Sequence, residues 1–154
     1  MMITRALAGL ALTTAFLAAA PLAAQAAPAA PWGPYSAPGG KAKAVGTLQA
    51  DGEDHADIPT ADVVRISGKV YDQTRSSSTC GWAVFRITYR DADGGLPFTH
   101  RSFRDCSYGT PLPFSFTRRD VYQVELKVCA EGRASKPSLT CLYAGTWKTI
   151  YLSK

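Results

Sequence analysis

Asp120-Val-Tyr-Gln-Val-Glu-Leu-Lys-Val-Cys129 is the stretch that decides the fold, and it is followed after a polar loop by Cys141-Leu-Tyr-Ala-Gly-Thr-Trp-Lys-Thr-Ile-Tyr-Leu152. In the first segment apolar and polar residues alternate, and successive side chains of a strand point to opposite faces. The pattern therefore predicts a half-buried β-strand. We expect a second strand to begin at Cys141, with Cys129 directly opposite it and Leu126 opposite Ala144, so that the apolar faces coincide.

The same alternation predicts strands further upstream, at residues 63–72, 80–90 and 98–106, with shorter ones at 43–50 and 114–117. The segment Asp91-Ala-Asp-Gly-Gly95 has the composition of a turn, because Asp bonds nearby backbone groups and Gly accepts positive φ. It joins two strands into a hairpin that sets Cys80 opposite Cys106. Residues 118–120 are predicted to turn the chain into the terminal hairpin.

About seven short strands, with no helical periodicity after residue 26, predict an all-β fold, namely an immunoglobulin-like antiparallel β-sandwich. The four cysteines allow three pairings. We favour two disulfides within hairpins, Cys80 with Cys106 and Cys129 with Cys141, because each hairpin predicts its own bridge. Each bridge would stabilise the fold by about 2–4 kcal/mol.

The first 26 residues have the features of a secretion signal: Arg5, an apolar run and the small-x-small pattern Ala24-Gln25-Ala26. We therefore expect a secreted, extracellular protein with no membrane span once the signal is removed. Residues 27–42 are rich in Pro, Ala and Gly and predict an extended, weakly ordered lead-in. Within it, Trp32 and Tyr35 either dock on the domain or form an exposed anchor. Residues 43–154 are predicted to form a single domain.

Basic residues dominate the body of the chain. From Arg65 onward it holds 14 Lys and Arg against 7 Asp and Glu, a net charge of +7. This balance favours an acidic partner, such as an anionic cell-wall polymer or an extracellular protein, although it also serves solubility alone. Nucleic acid is not expected as a partner, because the cations are scattered and no recognition motif is present.

An acidic segment, Asp51-Gly-Glu-Asp-His-Ala-Asp57, precedes the first confident strand. Its order of ligands does not match a calcium-binding loop, so a solvated polar loop is the stronger prediction. The sequence predicts neither a metal site nor a cofactor.

Three stretches carry a resemblance: Cys80-Gly-Trp-Ala-Val-Phe-Arg-Ile-Thr-Tyr89, Val124-Glu-Leu-Lys-Val-Cys129 and Cys141-Leu-Tyr-Ala-Gly-Thr-Trp147. In these stretches the chain resembles small secreted actinobacterial β-sandwich proteins of unknown function. The resemblance implies secretion and an immunoglobulin-like sandwich, and it implies no activity.

The first hairpin supplies one candidate binding surface. Its predicted register brings Trp82, Arg86, His100 and Arg104 to one face, with Arg104 across from Trp82. Side chains opposite each other on a sheet interact directly, and a cation over an aromatic ring is a favourable pair. Such a face suits an anionic or sugar-bearing ligand. The alternative is that the second sheet covers this face and Trp82 belongs to the core.

The loop Ala130-Glu-Gly-Arg-Ala-Ser-Lys-Pro-Ser-Leu-Thr140 is a second candidate. A bridge at its base would lower the entropy lost on binding, as in loops that inhibit proteases. Arg133 or Lys136 would fit a trypsin-like pocket, whereas the simpler interpretation is a long hairpin loop held closed.

A catalytic role has the least support. His55 and His100 are the only histidines, and no Gly-x-Ser-x-Gly motif is present. We therefore predict a non-enzymatic binding module, with a protease inhibitor as the alternative and a hydrolase as the weakest candidate.

Overall fold

The computed structural model describes residues 27–154, so the predicted signal peptide lies outside the described residues. One turn of 3-10 helix, Pro38–Gly40, follows the first strand, and no helix of the described residues is long and apolar enough to span a membrane. The other elements, in chain order, are β1 (Ala30–Ser36), β2 (Ala42–Glu53), β3 (Ala61–Asp72), β4 (Thr79–Tyr89), β5 (Phe98–Asp105), β6 (Leu112–Gly132), α1 (Leu139–Tyr143) and β7 (Lys148–Leu152).

All seven strands pair antiparallel, in the order β1-β2-β3-β6-β4-β5, and β7 also pairs with β6. The long strand β6 takes part in both halves of the structure. Residues 112–121 of β6 pair with β3, and residues 121–132 pair with β4. We call β1, β2, β3 and the first half of β6 the first layer, and the second half of β6 with β4, β5 and β7 the second layer. The predicted all-β antiparallel fold is confirmed.

Phe85 of β4 lies at the centre of the main core and is completely buried. Its ring contacts Phe114 and Phe116 of β6, with centroid distances of 5.5 and 5.2 Å, and Trp32 of β1 at 5.9 Å. These contacts join the second layer to the first. Around them pack apolar residues on faces that the alternation predicted, together with two it did not predict, Leu48 and Val121; the predicted ones are Val64, Ile66, Val70, Ile87, Val124 and Leu126.

The predicted weakly ordered lead-in is wrong for residues 30–36, which form the edge strand β1. Trp32 docks on the domain and is only 5 % exposed, while Tyr35 packs half-buried against the same core. Room for the indole comes from glycine, because a Cβ on Gly46 would lie 2.5 Å from Cζ2 of Trp32. Composition concealed this strand, since Pro and Gly rarely occur inside strands but are tolerated at an edge.

The predicted turn at residues 118–120 is also wrong. These residues lie inside β6, which is continuous from Leu112 to Gly132. Asp120 has a φ of 54°, and one extra residue of β6 is accommodated where its pairing with β4 begins. Asp tolerates this left-handed conformation better than most residues do. A bulge therefore redirects the strand where a turn was expected.

Both predicted disulfides are present, Cys80–Cys106 and Cys129–Cys141. The register of the β4–β5 hairpin is confirmed as well, with Trp82 opposite Arg104. The predicted register of the terminal hairpin is wrong, because Cys141 lies in α1 and Leu126 pairs with Lys148 instead of Ala144. Ser138 caps this short helix by accepting a hydrogen bond from the backbone N–H of Cys141. The second strand therefore starts seven residues later than predicted.

Replacement of Trp32 by Ala tests whether the lead-in belongs to the core. The substitution should lower the free energy of unfolding by about 3–5 kcal/mol, the usual cost of removing a buried aromatic ring. Urea unfolding of a chain of residues 27–154 measures this change. Trp32→Phe, which keeps part of the ring, should cost clearly less. An unchanged unfolding midpoint for Trp32→Ala would contradict the docking of β1.

Candidate functional site

Residues 133–147, here called the cover segment, lie over the outer face of the second layer. Leu142 and Trp147 of this segment pack with Trp82 and Val84 of β4, and Cys141 attaches the segment to β6. Together with the two disulfides these side chains form a second, smaller core that is separate from the main one. The outer face of the sheet is therefore partly buried by its own chain.

Because of the cover segment, the observed surface differs from the predicted binding surface. Trp82 is only 2 % exposed, so it belongs to the small core and cannot contact a ligand. The alternative of a buried Trp82 is thus the correct one, although a loop covers it and not the second sheet. Arg104 is exposed, with its guanidinium carbon 5.6 Å from the centre of the Trp82 ring. Arg86 and His100 pair with each other four register positions further along the hairpin.

Trp147 is the centre of the arrangement that the structure shows instead. The His100 ring stacks on it at 5.6 Å between centroids, with an interplanar angle of 15°. The Arg86 guanidinium carbon and the Lys127 ammonium nitrogen lie 4.7 and 4.6 Å from its centre. Cations at this distance from an indole are attracted by its quadrupole. Two of the predicted residues thus share a site with Trp147 and Lys127, which the sequence analysis did not include.

Both cations beside Trp147 already have partners within the protein. Arg86 Nε donates to Glu125 Oε2 at 2.6 Å, and Lys127 Nζ donates to the backbone oxygen of Ala144 at 2.6 Å. Lys127 is buried, and this burial together with the charge of Arg86 lowers the pKa of its ammonium group. Lys127 therefore holds the cover segment in place instead of presenting a free charge.

His100 lies between these charged groups. Burial, followed by the charges of Arg86 and then Lys127, lowers the pKa of its imidazole. Its Nε2 is buried and has no hydrogen-bond partner in the protein. The neutral ring stacks on Trp147, so protonation would place a third positive charge in the group.

Several apolar side chains beside His100 are open to solvent. Phe98 and Tyr143 are 54 % and 69 % exposed, and their rings lie 5.4 and 6.5 Å from that of His100. Together with Trp147 these residues form one contiguous surface, here called the outer aromatic surface. Leu139, 74 % exposed, lies one helical turn before Tyr143 on α1 and extends it. Neither α1 nor its exposed face was predicted from the sequence.

The predicted inhibitor loop is held at both ends. The backbone N–H of Arg133 donates to Ser78 O at 3.0 Å, and Ser138 donates from its backbone N–H and its hydroxyl to the Glu131 carboxylate. Arg133 and Lys136 are exposed between these contacts. The loop thus presents two basic side chains on a tethered backbone.

The acidic segment uses its carboxylates to hold the chain together. Asp54 accepts a hydrogen bond from the backbone N–H of Thr60 at 2.9 Å and forms an ion pair with Arg90. The hydrogen bond from Arg90, and after it the one from Thr60, lower the pKa of Asp54 to about 2. Asp51 pairs with Arg65 and accepts the backbone N–H of Ala27. In residues 27–154 no three His, Cys, Asp or Glu side chains converge as a metal site requires.

Comparison with known proteins adds no relative, since no family model, curated protein or solved structure matches the chain.

The position of His100 predicts how stability depends on pH. Its pKa is lowered in the folded protein, so the unfolded chain, with a usual value of about 6.5, binds more protons just below that pH. Stability should therefore fall as the pH drops from 7.5 to 5, and His100→Gln should weaken this dependence. Thermal midpoints across the range measure it. The exposed His55 gives the matched control, His55→Gln, and equal pH profiles for wild type and His100→Gln would contradict the assignment.

Proposed function

We propose that the protein is a secreted, non-catalytic binding module that contacts an extracellular partner protein through the outer aromatic surface. The observation that carries the proposal is the exposure of Phe98 and Tyr143 on regular secondary structure. Phe98 begins β5, and Tyr143 ends a helix that is joined to β6 by a disulfide. A surface that is already ordered loses little entropy when it binds.

The composition of this surface is that of a protein interface. Aromatic residues and Arg are enriched in the central positions of interfaces, where a few side chains supply most of the binding free energy. The outer aromatic surface combines Phe98, Tyr143 and Trp147 with the guanidinium of Arg86, which lies 6.0 Å from the centre of the Phe98 ring. Leu139 adds an aliphatic side chain, which favours a protein over a polysaccharide as the partner.

Charge indicates the chemistry of that partner. Arg104 is exposed on the same face of the hairpin and has no carboxylate partner among the ion pairs of residues 27–154. The excess of Lys and Arg in the body of the chain would further assist association with an acidic surface. An anionic cell-wall polymer would also be attracted by this positive charge, but binding such a polymer would not require exposed apolar side chains.

Paired substitutions test the surface. Phe98→Ala with Tyr143→Ala should weaken capture of partner proteins from the surface extract of the producing cells by at least about tenfold, since interface aromatic residues often contribute 2 kcal/mol or more each. Tyr108→Ala is the matched control, because Tyr108 is 53 % exposed but lies in another loop. The measurement is quantitative pull-down on immobilised mature protein. Full retention by the double variant would reject the surface.

The same variants separate the two classes of partner. Purified anionic wall polymer, tested on the same support, should be retained weakly and independently of Phe98 and Tyr143. Polymer binding that depends on both side chains, without any captured protein, would replace a protein partner by a polymer.

A second candidate function is inhibition of a trypsin-like protease, as the sequence suggested. The tethered backbone and the exposed Arg133 and Lys136 favour it. A protease pocket for basic residues would hold one of these side chains while the Cys129–Cys141 bridge keeps a cleaved loop together.

Titration of trypsin with the mature protein tests this candidate. Inhibition should be stoichiometric and should be lost in Arg133→Ala or in Lys136→Ala, according to which side chain enters the pocket. Lys154→Ala, at an exposed basic residue far from the loop in sequence, is the control. Rapid cleavage at residues 133–136 without inhibition would exclude the candidate.

A further inference from the structure

A cavity of about 440 Å³ lies at the bend of β6, and the residues that line it belong to neither candidate surface described above. It is open to solvent. The residues that line it are the end of β4, the first residue after it and four consecutive residues of β6, namely Tyr89, Arg90, Thr117, Arg118, Arg119 and Asp120.

Three arginines line this cavity, and two of them are held in place. The Arg118 guanidinium carbon lies 4.2 Å from the centre of the Tyr89 ring, and Arg90 donates to Ile58 O at 3.0 Å while it pairs with Asp54. Arg119 is exposed. Stacking and these polar contacts restrict the side chains, so less entropy is lost when the guanidinium groups bind a ligand.

The charges of two of these arginines are not neutralised by ion pairs. The ion pairs of residues 27–154 involve Arg65, Arg86 and Arg90, and neither Arg118 nor Arg119 lies within 4.0 Å of a carboxylate oxygen. Arg90 keeps three N–H groups beyond those used for Asp54 and Ile58, since a guanidinium has five. The cavity therefore offers several donors and an excess of positive charge.

We propose that this cavity binds a tetrahedral oxyanion, that is, a phosphate or sulfate group. Planar guanidinium groups match the oxygens of such a group with paired, charge-assisted hydrogen bonds. The hydroxyl of Thr117 can add a further donor. A group with a double negative charge suits the site better than a carboxylate, because Arg118 and Arg119, which are in no ion pair, outnumber the one lining carboxylate, Asp120.

Asp120 opposes the binding of an oxyanion, and its replacement therefore tests the site. Its carboxylate lines the same cavity, and its backbone is in the left-handed conformation that Asn also accepts. Asp120→Asn therefore removes the repulsion without straining β6. The site should bind an oxyanion more tightly after this change, whereas loss of an arginine should weaken binding.

Calorimetric titration of the mature protein with inorganic phosphate, and separately with inorganic sulfate, tests the site. Arg119→Gln and Arg118→Gln should each lower the affinity by at least about fivefold, as expected for a charge-assisted hydrogen bond, and Asp120→Asn should raise it. Arg133→Gln is the control, because Arg133 is exposed but lies outside the cavity. Thermal midpoints show whether Arg118→Gln still folds. If it does not, the affinity of Arg119→Gln alone tests the role of the arginines.

A polyphosphate chain of defined length distinguishes a polymer-borne group from a free ion, since a polymer ligand should bind more tightly per chain than inorganic phosphate. Affinities that are equal in wild type, Arg119→Gln and Asp120→Asn, or no detectable heat with either anion, would overturn the proposal. Phe98→Ala with Tyr143→Ala should leave anion binding unchanged, so this site and the proposed protein interface can fail independently.

Discussion

The structure depends on one strand that belongs to both layers. Val121 of β6 is paired with Ala61 of β3 on one edge and with Tyr89 of β4 on the other, so backbone hydrogen bonds fix where the layers separate. Asp120, next to it, takes the left-handed conformation that the change of direction requires. The rings around Phe85 can then pack between the layers. The geometry of the core thus follows from a constraint on the backbone as much as from apolar burial.

The outer face of the second layer is organised differently. Only a short helix and a loop cover it, and they are held by a disulfide, by the ammonium group of Lys127 and by the contact of Trp147 with its neighbours. Charged side chains that a sequence pattern assigns to solvent are used here for support. This explains why Lys127, despite its charge, is a poor candidate for ligand contacts, whereas Phe98 and Tyr143 remain open.

The sequence predicted the parts of the fold that depend on local alternation. The β4–β5 hairpin and both disulfides followed from it, because each requires only that neighbouring segments pair. It failed where tertiary packing overrides composition. Trp32 is buried within a Pro-rich segment because Gly46 leaves space for its ring, and Cys141 lies in a helix because the connection must cross the outer face before β7 begins. For the site, the register brought Arg86 beside His100, but no local signal indicated that Trp147 would fold back onto them.

Because the small core around Trp82 is separate from the main one, the protein contains two units that need not lose their structure together. Opening the Cys129–Cys141 bridge would remove the cross-link between residues 133–147 and β6, and the aromatic partners of Phe85 lie outside this segment. Partial opening of this kind is common where few apolar contacts hold a segment. Exposure to a reductant would therefore uncover Trp82 first, and its indole fluorescence would report a local event that precedes global denaturation.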